Sequence, residues 1–373
     1  MPASALPTAA APDLHGRDAT ASAPDRTAHV RLERLLRELT QAPGFALGHE
    51  DSSAYGVGWS GDAERSDVKS LCGSHVAVHG WDLFGIENDA AVNGDGVSFE
   101  HMRELILGVH RRGGINTVSW HMDNPKSGRN AWDQTAAVRE LLPGGALHAR
   151  YIGYLDRAAN YLQTLRGDQG ELVPILFRPF HEHTGSWFWW GASHTTTRDF
   201  VSLWRFTVDY LRGERGLDLL IAFSPGGGEV HTDQDYLYRY PGDEYVDVFG
   251  VDHYFGREAS TLVGLARRVV RLAEAHGKIP AITEFGARGG LNGPGIDPNW
   301  TISSALGPLS RDPLASRIAY ALAWRNARED HCFLPYAGHP GAPRFQAFCA
   351  ADGVLLEDDL ARLPAFLPAA RPD

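Results

Sequence analysis

Cysteine, long apolar runs and positive charge are all in short supply in this chain. Its three cysteines, Cys72, Cys332 and Cys349, cannot all pair with one another, and their spacing fits no CxxC metal or redox motif. Free or buried thiols are the plain expectation, and a Cys332–Cys349 bridge is open only to an exported protein. No stretch approaches the roughly 18 uninterrupted apolar residues of a membrane span. Across 373 residues, 35 Lys and Arg face 46 Asp and Glu, a formal net charge of −11. Nucleic acid and anionic membrane surfaces require a basic footprint, so neither is expected as a partner. What the chain does have is 41 Gly and 10 Trp. Glycines in that number imply many tight turns. Tryptophans in that number imply a large core or flat platforms for sugar rings.

Residues 1–28 are rich in Ala, Pro, Thr and Asp without apolar periodicity, and read as a flexible leader. They lack the basic start and apolar run of a secretory signal, so the chain is expected to be cytoplasmic or a processed form of a secreted protein. Helical periodicity begins at Val30, Leu32, Leu35, Leu36 and Leu39 and stops at Pro43-Gly44. Thereafter one pattern repeats: a short apolar run, a polar and aromatic cluster at its end, then an amphipathic stretch. The runs are 45–47, 76–81, 115–120, 173–177, 219–223, 246–251, 279–283 and 318–324. The amphipathic stretches include 99–112, 151–166, 197–212 and 262–276. Near-continuous apolar strands alternating with helices predict a parallel sheet buried on both faces. Eight units predict a (β/α)8 TIM barrel, one domain over residues 29–373 with enlarged βα loops. An open doubly wound sheet would carry a glycine-rich phosphate turn after the first strand, where this chain has Gly48-His49-Glu50-Asp51.

In such barrels the site lies at the C-terminal strand ends. Those ends carry His49 and Glu50, Trp81 and Asp82, His121 and Asp123, Arg178, His181 and Glu182, Ser224, Asp252, His253 and Tyr254, Glu284, and Trp324 with Arg325. Strands that repeatedly end in His, carboxylate and Trp suit a neutral, hydroxyl-rich ligand. Glu182 ends the fourth strand and Glu284 the seventh, on opposite sides of the barrel mouth. Glycoside hydrolysis needs such a facing pair, one acid to protonate the leaving oxygen and one carboxylate at the anomeric carbon. Glu182, beside Trp187, Phe188, Trp189 and Trp190, is expected to keep its proton; Glu284 is expected to be held ionised by Tyr254 and Arg178. Other readings fall away. His181-Glu182-His183 lacks the i, i+4 helical spacing of a zinc site. Ser224-Pro225-Gly226-Gly227-Gly228 lacks the Lys-Ser/Thr of a phosphate loop, and Ser186 lacks the second glycine of a nucleophile elbow.

Several segments together resemble glycoside hydrolase family 26. They are Gly48-His49, 118–125 (VSWHMDNP), 177–191 (FRPFHEHTGSWFWWG), 240–243 (YPGD), 247–254 (DVFGVDHY), 283–286 (TEFG), 324–326 (WRN) and 335–340 (PYAGHP). The resemblance runs in order over residues 43–350. It implies a retaining β-glycanase without cofactor or metal, most often an endo-β-1,4-mannanase acting on β-mannan or manno-oligosaccharides, here expected as a monomer. By matching motif, Glu182 resembles the acid/base and Glu284 the nucleophile. His181 stands where related barrels place an Asn against the sugar at the cleavage site. Tyr254 would touch the nucleophile and Trp324 would floor that subsite. His121, Trp187 and Arg325 resemble further substrate contacts, as do Trp132, Asp252 and His339. Two departures stand out: Glu50 occupies a position often held by Gln, and Ala287-Arg288-Gly289-Gly290 offers no aromatic beside Glu284. The family also includes exo-acting mannobiohydrolases, lichenases and β-1,3-xylanases. A non-catalytic sugar-binding barrel would typically have lost one of the two carboxylates, and both are present.

Overall fold

The computed structural model describes residues 27–256, 258–351 and 353–364. Most of the expected leader, residues 1–26, therefore lies outside the described residues, while Thr27 and Ala28 already belong to a helix, Thr27–Leu39. Eight strands follow: β1 (Ala46–Glu50), β2 (Val78–Asp82), β3 (Ile115–Ser119), β4 (Ile175–Arg178), β5 (Leu219–Phe223), β6 in two pieces (Val248–Phe249 and Asp252–Phe255), β7 in two pieces (Ile279–Pro280 and Ile282–Ala287), and β8 (Tyr320–Ala323). All barrel neighbours pair in parallel, and apart from them Tyr55–Gly56 and Trp59–Ser60 form a small antiparallel ribbon. Gly48 stands beside Val78, Val78 beside Ile115, Asn116 beside Ile175, and Ile175 beside Leu219. The first pieces of β6 and β7 pair through Val248 and Ile279, the second through Asp252 and Glu284. Leu322 of β8 returns to Gly48, so the sheet closes into the predicted eight-stranded barrel.

Strands buried on both faces must be apolar throughout, which is why they read as uninterrupted runs. The helices carry their own punctuation. Phe99–Arg112 starts where Ser98 accepts from the His101 N–H and stops at Gly113, whose φ of 87° suits a residue without a side chain. His148–Gln163, Thr197–Asp209 and Ala259–His276 complete the outer layer at the expected places. One face of Thr27–Leu39, with Leu32, Leu35, Leu36 and Leu39, packs into a cluster with Ala46, Val78, Ile115, Leu176, Leu220 and Val248. These are early residues of the strands, so the helix plugs the end of the barrel opposite the strand C-termini. Among the described residues, no helix is long and apolar enough to cross a membrane.

The cysteines are free and do not pair as the sequence left open. Cys332 is buried, donates to the Glu329 carbonyl at 3.3 Å and accepts from the Asn292 amide. The thiol that meets Cys349 is Cys72. Sequence spacing could not show this, because Cys72 arrives from the other end of the chain.

Candidate active site

The strand register assembles a charged trio at the barrel mouth. Arg178 ends β4 fully buried, with Nη1 donating to Asp252 Oδ2 and Nη2 to Glu284 Oε2, each at 2.6 Å. Asp252 and Glu284 are register partners on β6 and β7. The Tyr254 hydroxyl donates to Glu284 Oε1 at 2.6 Å, so both oxygens of this carboxylate are held. Thr283 Oγ1 donates to Asp252 Oδ1 at 2.7 Å and fixes the far side of the trio. Glu284 is thus an ion-paired carboxylate whose two donors fix its orientation.

Glu182 lives differently. It and Phe180 have φ of 53° and 47°, in the left-handed region that non-glycine residues avoid. Such residues cost about 1–3 kcal/mol each and persist only where the surroundings dictate them. Here the Glu182 N–H donates to the Ser224 carbonyl at 2.7 Å, and Trp190 Nε1 donates to the His181 carbonyl at 2.9 Å. Phe180 is wedged among Trp189, Trp190, Phe200 and Trp204. The turn aims the Glu182 carboxyl at Trp187, whose Nε1 donates to Oε2 at 2.6 Å. Burial pushes the Glu182 carboxyl well above the usual carboxylate range, and the charges of Glu284 and Asp252 add to it. The Trp187 bond and Arg178 pull the other way without prevailing. Glu182 therefore keeps a proton it can give.

A histidine relay lines the neighbouring wall. Asp82, buried at the end of β2, accepts from His121 Nδ1 at 2.6 Å, from the His121 N–H and from Ser119 Oγ. Burial works against charge on His121, but Asp82 outweighs it and the ring is raised above its ordinary value. His121 Nε2 lies 3.1 Å from His181 Nε2. Burial, then Arg178 and His121, push His181 well below its ordinary value, so it is the neutral acceptor of that bond. Trp132, nearly half exposed, stacks on His121 with ring centres 5.2 Å apart.

A cleft of about 410 Å³ opens over these groups. Of the residues singled out in the sequence, Glu182, Glu284, His121, Trp132, Trp187, Asp252, Tyr254 and Trp324 all line it. His181 is buried beneath His121 rather than on the cleft surface. Arg325 is not among the lining residues; it pairs with Asp95 at 2.9 Å and donates to the Tyr55 hydroxyl at 3.0 Å. His339 stands apart too, buried, with Nδ1 accepting from the Gly341 N–H at 3.0 Å. His253, a strand-end residue, lines the cleft too, as do Glu229, Arg288 and Gly226-Gly227-Gly228, to which the sequence gives no role. Asp82 was visible at a strand end, but its grip on His121 needed three dimensions.

Glu50 ends β1 with its carboxyl against Gly80, where a Cβ would lie only 1.8 Å from Oε2. Burial raises it well above the carboxylate range, with Asp51 and Asp82 adding to the shift. It thus stands as a neutral acid, close in hydrogen-bonding character to an amide.

A closed parallel barrel that brings one protonated and one ion-paired glutamate to a tryptophan-lined cleft has the equipment of a glycoside hydrolase. The chain belongs to glycosyl hydrolase family 26, whose family model matches residues 46–301. A mannan endo-1,4-β-mannosidase of Bifidobacterium adolescentis is 34% identical over 80% of this chain and 32% of its own length. Its namesake in Bacillus subtilis is 31% identical over 63% of this chain and 67% of its own. The chain thus spans about a third of the Bifidobacterium protein. Among solved structures, a β-mannanase from Bacteroides ovatus superposes with a TM-score of 0.84 at 37% identity, over 92% of this chain and 98% of that one.

Proposed function

We propose that the protein is a retaining β-1,4-mannanase that works by double displacement. The observation that carries this reading is the contrast between two glutamates on one cleft. Glu284 is gripped by Arg178 and Tyr254, while Glu182 is protonated by burial beside Trp187. Glu284 attacks the anomeric carbon as Glu182 gives its proton to the departing glycosidic oxygen, leaving a glycosyl ester on Glu284. Glu182, now a carboxylate, takes a proton from water, which attacks the same carbon and frees the sugar with its configuration retained. Trp324 and Trp132 offer aromatic faces for sugar rings. The mannan substrate is supported by the mannanase names of the relatives, over a site built from the same family's motifs.

Two variants test the roles. Glu284→Ala should lose essentially all activity on mannan and on aryl mannosides with good leaving groups. Glu182→Ala should fail on mannan but keep glycosylation of the activated substrates, which need no acid. Equal losses on activated substrates would contradict the assignment. Product analysis on linear mannan and mannohexaose, with lichenan and β-1,3-xylan as controls, tests the glycan. A ladder of manno-oligosaccharides supports endo action, mannobiose alone an exo enzyme, and turnover of lichenan alone a different substrate.

A further inference from the structure

Cys72 and Cys349 lie at opposite ends of the chain and meet in the fold. Cys72 is the last residue of the short helix Asp67–Cys72, and Cys349 is near the end of Ala342–Ala350. The two helices pack against each other and make the two thiols neighbours that influence each other's protonation. Cys349 is buried, whereas Cys72 is half-buried at the helix end, followed by an exposed Gly73. Cys72 is therefore the more open of the two residues. The hydrogen bond from Cys349 holds the Cys72 thiol below its ordinary value against the opposing effect of burial, making it the readier nucleophile. The same bond pushes Cys349 up, and burial adds to it.

We propose that Cys72 and Cys349 form a disulfide when the folded protein meets a disulfide oxidant of the glutathione class, and that Cys332 takes no part. The Cys72 thiolate attacks the oxidant, forming a mixed disulfide and releasing one thiol. Cys349 then loses its proton and attacks the Cys72 sulfur, expelling the second thiol. Two protein thiols are oxidised, one external disulfide is reduced to two thiols, and the two protons end on those thiols. The bond would close most of the barrel into one covalent ring. It would also brace the active-site rim: Asp67, at the other end of the helix, accepts from Trp59 Nε1 at 2.7 Å and from Asn326 Nδ2 at 2.9 Å, two residues beyond Trp324. Cys332 is held elsewhere by Glu329 and Asn292, with its thiol pushed up by burial to about 11.

The test is to incubate the folded, reduced protein with oxidised glutathione, count thiols in denaturant and map linked peptides by mass spectrometry. The expected result is a single remaining thiol, with the peptide of Cys72 joined to that of Cys349. Cys332→Ser should still form the bridge and Cys72→Ser should not. The oxidised protein should melt roughly 5 °C or more above the reduced one, because the ring restricts the unfolded chain. Three titratable thiols after oxidation, or a bridge that includes Cys332, would overturn the proposal. So would a Tm that stays level or falls, since the bond would then not fit the native geometry. The wild-type protein alone supplies the thiol count and the linkage map, so a variant that fails to fold leaves the test intact.

Discussion

Glu182 and Trp187 are joined by a single N–H, and that atom can be removed while the ring stays. In Trp187→Phe the ionised form of Glu182 loses its donor. A hydrogen bond to the charged form lowers a carboxyl's pKa, so its loss raises the pKa, and the alkaline limb of the kcat/KM profile should move to higher pH. A limb that stays put or moves down would mean that Trp187 does not tune the acid. Arg178 is the matching test on the other carboxylate. Arg178→Met strands Asp252 and Glu284 as buried charges without their shared cation, and should cost about 3–5 kcal/mol in urea unfolding. Arg178→Lys should recover much of that stability but little activity, because an ammonium cannot reproduce the two-pronged grip on both carboxylates. Full activity in the Lys variant would show that orientation of Glu284 is not what Arg178 supplies. At this scale, the sequence pointed to Arg178 and Tyr254 as the partners of Glu284 because strand ends converge in a barrel. The placement of Arg325 and His339 was not legible, since both follow β8 in loops whose path no periodicity fixes.

Elements were most legible where chemistry punctuates them. Phe99–Arg112 has a serine before it and a glycine after it, and the apolar spacing between them fixes its face. The apolar runs at 246–251 and 279–283 stopped short of their strands, which continue to Phe255 and Ala287. Asp252, His253, Tyr254 and Glu284 do not look like strand interior; they are in the sheet because the site needs them there. The last short helix, Glu357–Leu360, carries an element-scale prediction. Its Glu357 accepts from Arg112 Nε at 2.6 Å and bonds His79 Nε2 at 3.1 Å, tying the C-terminal segment to β2 and to Phe99–Arg112. Burial opposes the charge, but His79 and Arg112 together hold the carboxyl down to about 2 from an ordinary 4.5. A depressed carboxyl contributes stability above its unfolded pKa and loses it as pH falls through the folded one. Glu357→Gln should therefore be less stable than wild type by about 3 kcal/mol at pH 7. The gap should narrow between pH 4.5 and 2. A gap that does not depend on pH would mean that Glu357 acts by packing alone.

As a whole molecule, the chain separates stability from chemistry along the barrel axis. The helix Thr27–Leu39 seals one end with leucines, and the polar strand termini build the cleft at the other. The repeat of apolar run, polar end and helix makes that division readable in the sequence, because each strand must be apolar inside and functional only at its tip. Contacts between remote parts, such as Cys72 with Cys349 or Glu357 with Arg112, leave no local pattern and emerge only from the closed fold. The central claim concerns one bond and two glutamates, and one measurement addresses it directly: proton NMR of the anomeric signals during the first minutes of mannohexaose cleavage. The account predicts that the newly released reducing end appears first as the β-anomer and only later mutarotates toward equilibrium. An α-anomer appearing first, or no cleavage of mannohexaose by an enzyme that cleaves lichenan, would contradict it.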